Sequence, residues 1–233
     1  MTKQRASILE RYFYLFMSLL IAVVVIVGFS HTIDRNLIHP HFRLPAILYV
    51  HSFVFCAWVL FFILQSALVR SRNVRLHRTL GWVGVGLGAS IVVLGWMTTI
   101  IMGRLSLLHG GPFPFKPFLI VASLDVVSFG VTFALAVYWR KRPDFHRRLM
   151  LIASCVLLEA AFARIPIFHR IFAPVGTDAL ILLGVMRDVL VDRRVHKVYL
   201  YALPTMIVVQ VFAEYTFVHA SPWWVHIADY ILR

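Results

Sequence analysis

"PAILYVHSFVFCAWVLFFILQSALV", residues 45–69, runs for 25 positions without an aspartate, glutamate, lysine or arginine. Roughly 20 residues of helix cross the hydrocarbon core of a bilayer, so this stretch is long enough to span one. Similar stretches, uncharged or nearly so, occupy about 12–30, 79–102, 117–139, 149–166, 177–191 and 198–217. The pattern reads as an all-α, polytopic transmembrane bundle of about seven helices forming one domain over residues 1–233. The sixth stretch is short and carries Asp178 and the Arg187-Asp188 pair, so six spans plus a re-entrant segment is the alternative.

Composition points the same way. The chain is 61% hydrophobic and 14% charged, whereas a soluble domain sits near half apolar and about a quarter charged. A net charge of +13 would suit nucleic acid if the basic groups shared one face beside reading elements. Here they punctuate apolar runs, which makes the lipid bilayer the expected partner and excludes nucleic acid. Sixteen of the 23 basic residues fall in the N-terminus, 70–78, 139–148 and 187–197, against seven at the other ends. The positive-inside rule then predicts a cytoplasmic N-terminus and an external C-terminus. The first apolar segment, behind Lys3, Arg5 and Arg11, lacks a small-residue cleavage site and reads as a retained helix. Cys56 and Cys155 lie inside apolar runs, where a thiol packs as a small hydrophobe. At the end, Ser221 and Pro222 open a segment, 222–232, that reads as a short helix at the outer interface, with Trp223 and Trp224 in the aromatic belt.

One local pattern occurs three times. "VRLHRTLG" (74–81), "DFHRRLM" (144–150) and "RRVHKVYL" (193–200) each carry a basic cluster and a histidine into an apolar run. His77, His146 and His196 therefore share a cytoplasmic depth, and Asp188 lies close to it. Neutral imidazole is a common metal ligand, and three histidines with a carboxylate suit zinc, iron or copper better than magnesium or calcium. The plainer account is an ancient hairpin duplication, or an interfacial preference for basic helix starts.

Helical spacing sorts other residues by face. His77, Gly81, Gly84 and Gly88 share one, which would admit either a neighbouring helix or a flat macrocycle such as haem b. His51, Phe55, Trp58, Phe62 and Gln65 form a stripe that should point inward, because polar groups facing lipid are costly. His51, Asp125 and Glu159 lie at similar depth from the outer side and are candidate catalytic or proton-transfer groups. Pairing of Asp125 with His51, or of Glu159 with Arg164, would account for them structurally. The remaining histidines fall in external loops or near helix ends.

Taken together, "VHSFVFCAWVLFFILQSALV", "LHRTLGW", "FHRRLMLIASCVLLEAAFARIP" and "RDVLVDRRVHKVYLYALP" resemble a widespread group of small bacterial multipass membrane proteins of unknown function, from about residue 45 to 205. The resemblance implies a helical bundle in the bacterial inner membrane and supplies no activity. No lysine follows Lys197 in the last long helix to form a retinal Schiff base, and neither an HExxH zinc signature nor a Gly-rich phosphate loop occurs. Three function classes stay open: a metal-dependent enzyme acting on a lipid or hydrophobic substrate, a b-type haem electron-transfer protein, and a proton-coupled carrier or channel. Oligomeric state is not readable.

Overall fold

The computed structural model describes residues 3–34, 38–39, 44–110, 113–168 and 172–233. Within them the chain is helical and forms no strand: α1 (Lys3–Ser30), α2 (Ala46–Arg70), α3 (Val74–Leu108), α4 (Phe115–Tyr138), α5 (Pro143–Val156), α6 (Glu159–Phe162), α7 (Ala173–Asp192), α8 (Lys197–Val218) and α9 (Pro222–Leu232). His41 and His169, expected in external loops, lie outside the described residues. Five helices are long and apolar enough to cross a membrane: Ile8–Ser30 within α1, then α2, α3, α4 and α8. Large apolar side chains such as Phe53, Leu60, Val208 and Val211 are exposed on α2 and α8. That outer surface suits lipid, and the molecule is a multi-pass membrane bundle.

The helices differ from the expected spans in instructive ways. Asn73 caps α3 by accepting from the Leu76 amide, so that helix takes in the basic residues before 79 and runs on to Leu108. The expected fifth span, 149–166, is not one helix. Pro143, whose missing N–H and fixed φ suit a first turn, starts α5 six residues early. The helix then stops at Val156, and a short α6 and a 3-10 turn at Pro166–Phe168 follow. α7 is 20 residues long, but Asp178, Arg187, Asp188 and Asp192 keep it out of the strongly apolar class.

α5 is the central element and packs on α1, α4, α7 and α8. Leu149, Leu151, Ile152, Ala153, Cys155 and Val156 are all buried there. The expected inward stripe of α2 does face the interior, with Trp58, Phe62 and Gln65 buried. It meets aromatic packing: Trp58 sits edge-on to Phe129 and Phe133 of α4, at centroid separations of 5.4 and 5.5 Å. Gly88 of α3 lets the Phe133 ring approach, and Gly84 does the same for Phe61. Gly84 and Gly88 thus serve close ring packing.

Non-helical backbone at membrane depth is tolerated where protein buries it, and the break after α5 is covered in this way. Gly28 of α1 lies directly against the Ala161 carbonyl, and Gly176 of α7 against the Phe162 ring. At the other end of the molecule, α9 packs on α3 and α4. Lys116 pairs with Asp229 at 2.5 Å, Trp224 Nε1 donates to the Lys116 carbonyl, and Arg104 donates to the Ile231 carbonyl.

Gly28→Ala places a methyl group against backbone that cannot swing aside, and should destabilise the bundle by about 1–3 kcal/mol, the usual cost of overpacking. Gly86→Ala meets nothing within 4 Å and should be neutral or stabilising by up to about 1 kcal/mol through helix propensity. Thermal unfolding of both variants in one detergent checks the contrast.

Candidate functional site

The most concentrated chemistry lies near the start of α5 and the end of α7, where two arginines are almost fully buried. Arg148 is 2% exposed, Arg187 1% and Asp188 0%. Arg148 stands about 8 Å, five residues of helical rise, inside the start of α5. It grips Asp188 with two parallel bonds, Nε to Oδ2 and Nη2 to Oδ1, both 2.7 Å. This is the bidentate fork in which guanidinium and carboxylate match best. Arg148 also donates to Asp192 at 2.8 Å and, through Nη1, to the Asp144 carbonyl at 2.7 Å. Arg187 sends Nη1 to both Asp188 (2.9 Å) and Asp192 (2.6 Å). Two positive and two negative side chains therefore neutralise one another, as burial of charge requires.

Several buried polar atoms around this network have no hydrogen-bond partner among the described residues: Arg187 Nε and Nη2, Tyr14 Oη, Tyr199 Oη and Ser154 Oγ. Tyr14, on α1, stands in the electrostatic field of Arg147, Arg148, Arg187 and Asp188. Tyr199, on α8, stands in that of Tyr14, Arg148 and Asp188. Helices α1, α5, α7 and α8 thus converge on one polar compartment. Beside it an open cleft of about 510 Å³ is lined by Asp144, Arg147, Arg148, Asp192, Arg194 and His196.

The three motif histidines have separate local roles. His196 caps α8: its Nδ1 accepts from the Val198 amide, and its Nε2 lies 3.4 Å from Asp144 Oδ2. Burial and the nearby Arg148 charge depress the His196 pKa, with Asp144 opposing them. Burial disfavours the Asp144 carboxylate, but hydrogen bonds from its own amide, His196 and the Phe145 amide outweigh this and hold its pKa below the usual carboxylate value. Both depressed values act in one direction on stability: what the pair contributes is present at neutral pH and lost as pH falls through the folded-state values. His146 donates Nδ1–H to the Ala136 carbonyl at 2.8 Å, which fixes its tautomer. His77 lies beside it, with ring centroids 6.3 Å apart.

The four residues read from sequence as metal ligands are therefore only partly brought together. His77 and His146 are neighbours, His196 is turned to Asp144 and Phe145, and both Asp188 oxygens are held by arginine. Among the described residues no three His, Cys, Asp or Glu side chains stand close enough to hold an ion. The physical reason lies in α5: because it starts at Pro143, Arg148 falls inside the bundle and takes the carboxylate the histidines were expected to share.

His51, Asp125 and Glu159 likewise form no three-member ligand group. His51 stacks on Phe55 at 4.1 Å with its ring directed at the Leu94 carbonyl of α3. Asp125 is half-buried on α4, and Glu159 is buried where α6 begins. Asp178 of α7 stands close to Gln210 of α8.

Sequence reading missed Arg148, Tyr14 and Tyr199, and had Arg187 only as the neighbour that could neutralise Asp188, a pairing the structure contains. The arginines carried a usable signal, since a proline three residues before "HRRLM" is a helix start and would have placed Arg148 inside α5. The tyrosines carried none, being two aromatics among many.

Asp188→Asn leaves buried guanidinium uncompensated and should cost about 3–5 kcal/mol. Adding Arg148→Met to Asp188→Leu removes both charges and should recover most of that loss. A double-mutant cycle by thermal unfolding in detergent reads the coupling.

Comparisons with family models, with curated proteins and with solved structures returned no match, so the functional reading rests on this geometry.

Proposed function

We propose that the protein is a proton-coupled carrier for a small anion in the bacterial inner membrane. Its topology on this reading is seven spans, counting α5–α6 and α7, with the N-terminus cytoplasmic and the C-terminus external. The observation that carries the reading is the network of buried Arg148, Arg187 and Asp188 with the more exposed Asp192, which ties an interrupted central helix to α7 beside an open cleft. Charged groups this deep in a membrane bundle mark solute or proton paths, and broken helices recur where carriers hold their substrates. The basic lining of the cleft draws an anion from the cytoplasm, and the Asp144–His196 pair at the cleft is a titratable contact that entry can open. His51, Asp125 and Glu159 are then the outer stations for proton transfer.

A second reading rests on His77 and His146. Their ring centroids are 6.3 Å apart, and the Nδ1–H bond of His146 leaves Nε2 as the lone-pair nitrogen, so these two residues would hold a haem iron were one bound. This geometry favours a b-type haem over the metal-dependent enzyme, for which a third and fourth ligand would be needed. Purified protein carrying a Soret band that both His77→Ala and His146→Ala abolish would establish haem; a colourless preparation that also takes up no added haem removes it.

For the carrier, cysteines placed at 72 and 142 in a background lacking Cys56 and Cys155 should label only from the cytoplasmic side. Proteoliposomes with an imposed pH gradient should accumulate at least one of labelled lactate, gluconate and phosphate. Labelling from outside would overturn the orientation, and no gradient-dependent uptake of any of the three would end the carrier reading.

A further inference from the structure

Arg148 and Arg187 sit on facing helices and meet the same aspartate, yet they use different edges. Arg148 engages Asp188 through Nε and Nη2, the side of the guanidinium that presents two parallel N–H groups. Arg187 spends only Nη1 on Asp188 and Asp192, and its own Nε and Nη2 are buried without a partner. A guanidinium edge of this kind matches the two oxygens of a carboxylate. The protein thus contains, a few ångströms apart, one carboxylate fork with its carboxylate and a second of the same chemistry without one.

Two further donors belong to the same compartment. Tyr14 and Tyr199 bring phenol hydroxyls that are buried and unpartnered, from helices on either side of the network. Buried donors of this kind are costly when unmatched. The charge balance adds a constraint. The four-residue network is neutral, but the Arg147 guanidinium lies over the Tyr14 ring, 5.6 Å from its centroid, and its Nε is likewise unpartnered. One negative charge added at the Arg187 edge would make the compartment neutral, which favours a monoanion over a dianion. Arg147, which lies over the Tyr14 ring, and Arg148, which shares Asp188 with Arg187, also line the open cleft.

We propose that the Nε/Nη2 edge of Arg187, with the hydroxyls of Tyr14 and Tyr199, is a binding site for a monocarboxylate. This deepens the carrier reading by naming its ligand class, and its transport arm rests on that reading. The carboxylate sits on the arginine fork and accepts from the two phenols. Gly184 sets the position of Tyr199: a methyl group there would run into the Tyr199 hydroxyl, so Gly184→Ala displaces one donor without touching a charge.

The test is direct binding by calorimetry to the full-length protein in detergent, with lactate and gluconate as soluble carboxylates, decanoate as a lipid-like one and inorganic phosphate as the competing anion. Wild type should bind at least one carboxylate more tightly than phosphate. Tyr14→Phe and Tyr199→Phe should each weaken binding by about tenfold, the scale of a hydrogen bond to a charged group, while folding as wild type. Gly184→Ala should weaken it as well, and Arg187→Lys, which keeps the charge and loses the fork, should abolish it. Decanoate alone would assign a membrane-derived acid, and lactate or gluconate a cytoplasmic one. Failure of all three carboxylates to bind, tighter phosphate binding, or full affinity in the folded Tyr14→Phe/Tyr199→Phe double variant would overturn the proposal. Binding without uptake into proteoliposomes leaves the site standing and removes the carrier; uptake unaffected by the double variant does the reverse.

Discussion

A guanidinium cannot be left alone in a low-dielectric bundle, and the arrangement of the inner half follows from that constraint. Arg148 lies on the most enclosed helix, so a carboxylate must reach it from another element. Asp188 does so from α7, and the paired hydrogen bonds fix both the separation and the rotation of the two helices. Arg187, one residue earlier, is drawn in with it and requires Asp192 as a second counter-charge. The register of α7 against α5 is thereby set by charge pairing, in a part of the molecule where the apolar contacts on their own would tolerate sliding.

Other contacts are organised by shape. Glycines on α1, α3 and α7 admit a backbone carbonyl or an aromatic ring at contacts where a methyl group would collide, and Trp58, Phe129 and Phe133 fill the space between α2 and α4. The interruption after Val156 falls where these two regimes meet. Below it α5 is held by ion pairs, and above it the chain is held by close packing against Gly28 and Gly176. A break at that level lets the two halves be optimised by different forces.

The helices were legible in the sequence where membrane physics dominates. Runs without charge located α2 and α4 to within about two residues, and the polar spacing on α2 identified its buried face. Legibility failed where a charge enters the bundle, because treating basic residues as markers of the aqueous edge ended the fifth helix at 149 and left Arg148 outside. The three-histidine pattern was real as sequence, but equal depth along three helices does not fix the direction in which each side chain points. His196 turned to cap its own helix, His146 reached back to α4, and only His77 and His146 met. Asp188 was read as close to that depth and as open to neutralisation by the adjacent Arg187, while the further partner that decides its chemistry lay forty residues away.

The length of α3 has a consequence for the surrounding lipid. At 35 residues it is about 52 Å long by helical rise, well beyond a hydrocarbon core of about 30 Å, whereas its neighbour α2 has 25 residues. The surplus of α3 at its C-terminal end is joined by α9, so one flank of the protein stands taller than the other. The uncharged run inside α3, residues 79–103, is no longer than α2, so the surplus lies in ends that carry Arg75, Arg78 and Arg104 and extends beyond the hydrocarbon into the headgroup region. Headgroups around the molecule therefore meet a helical ridge on the α3–α9 flank and a low edge on the other.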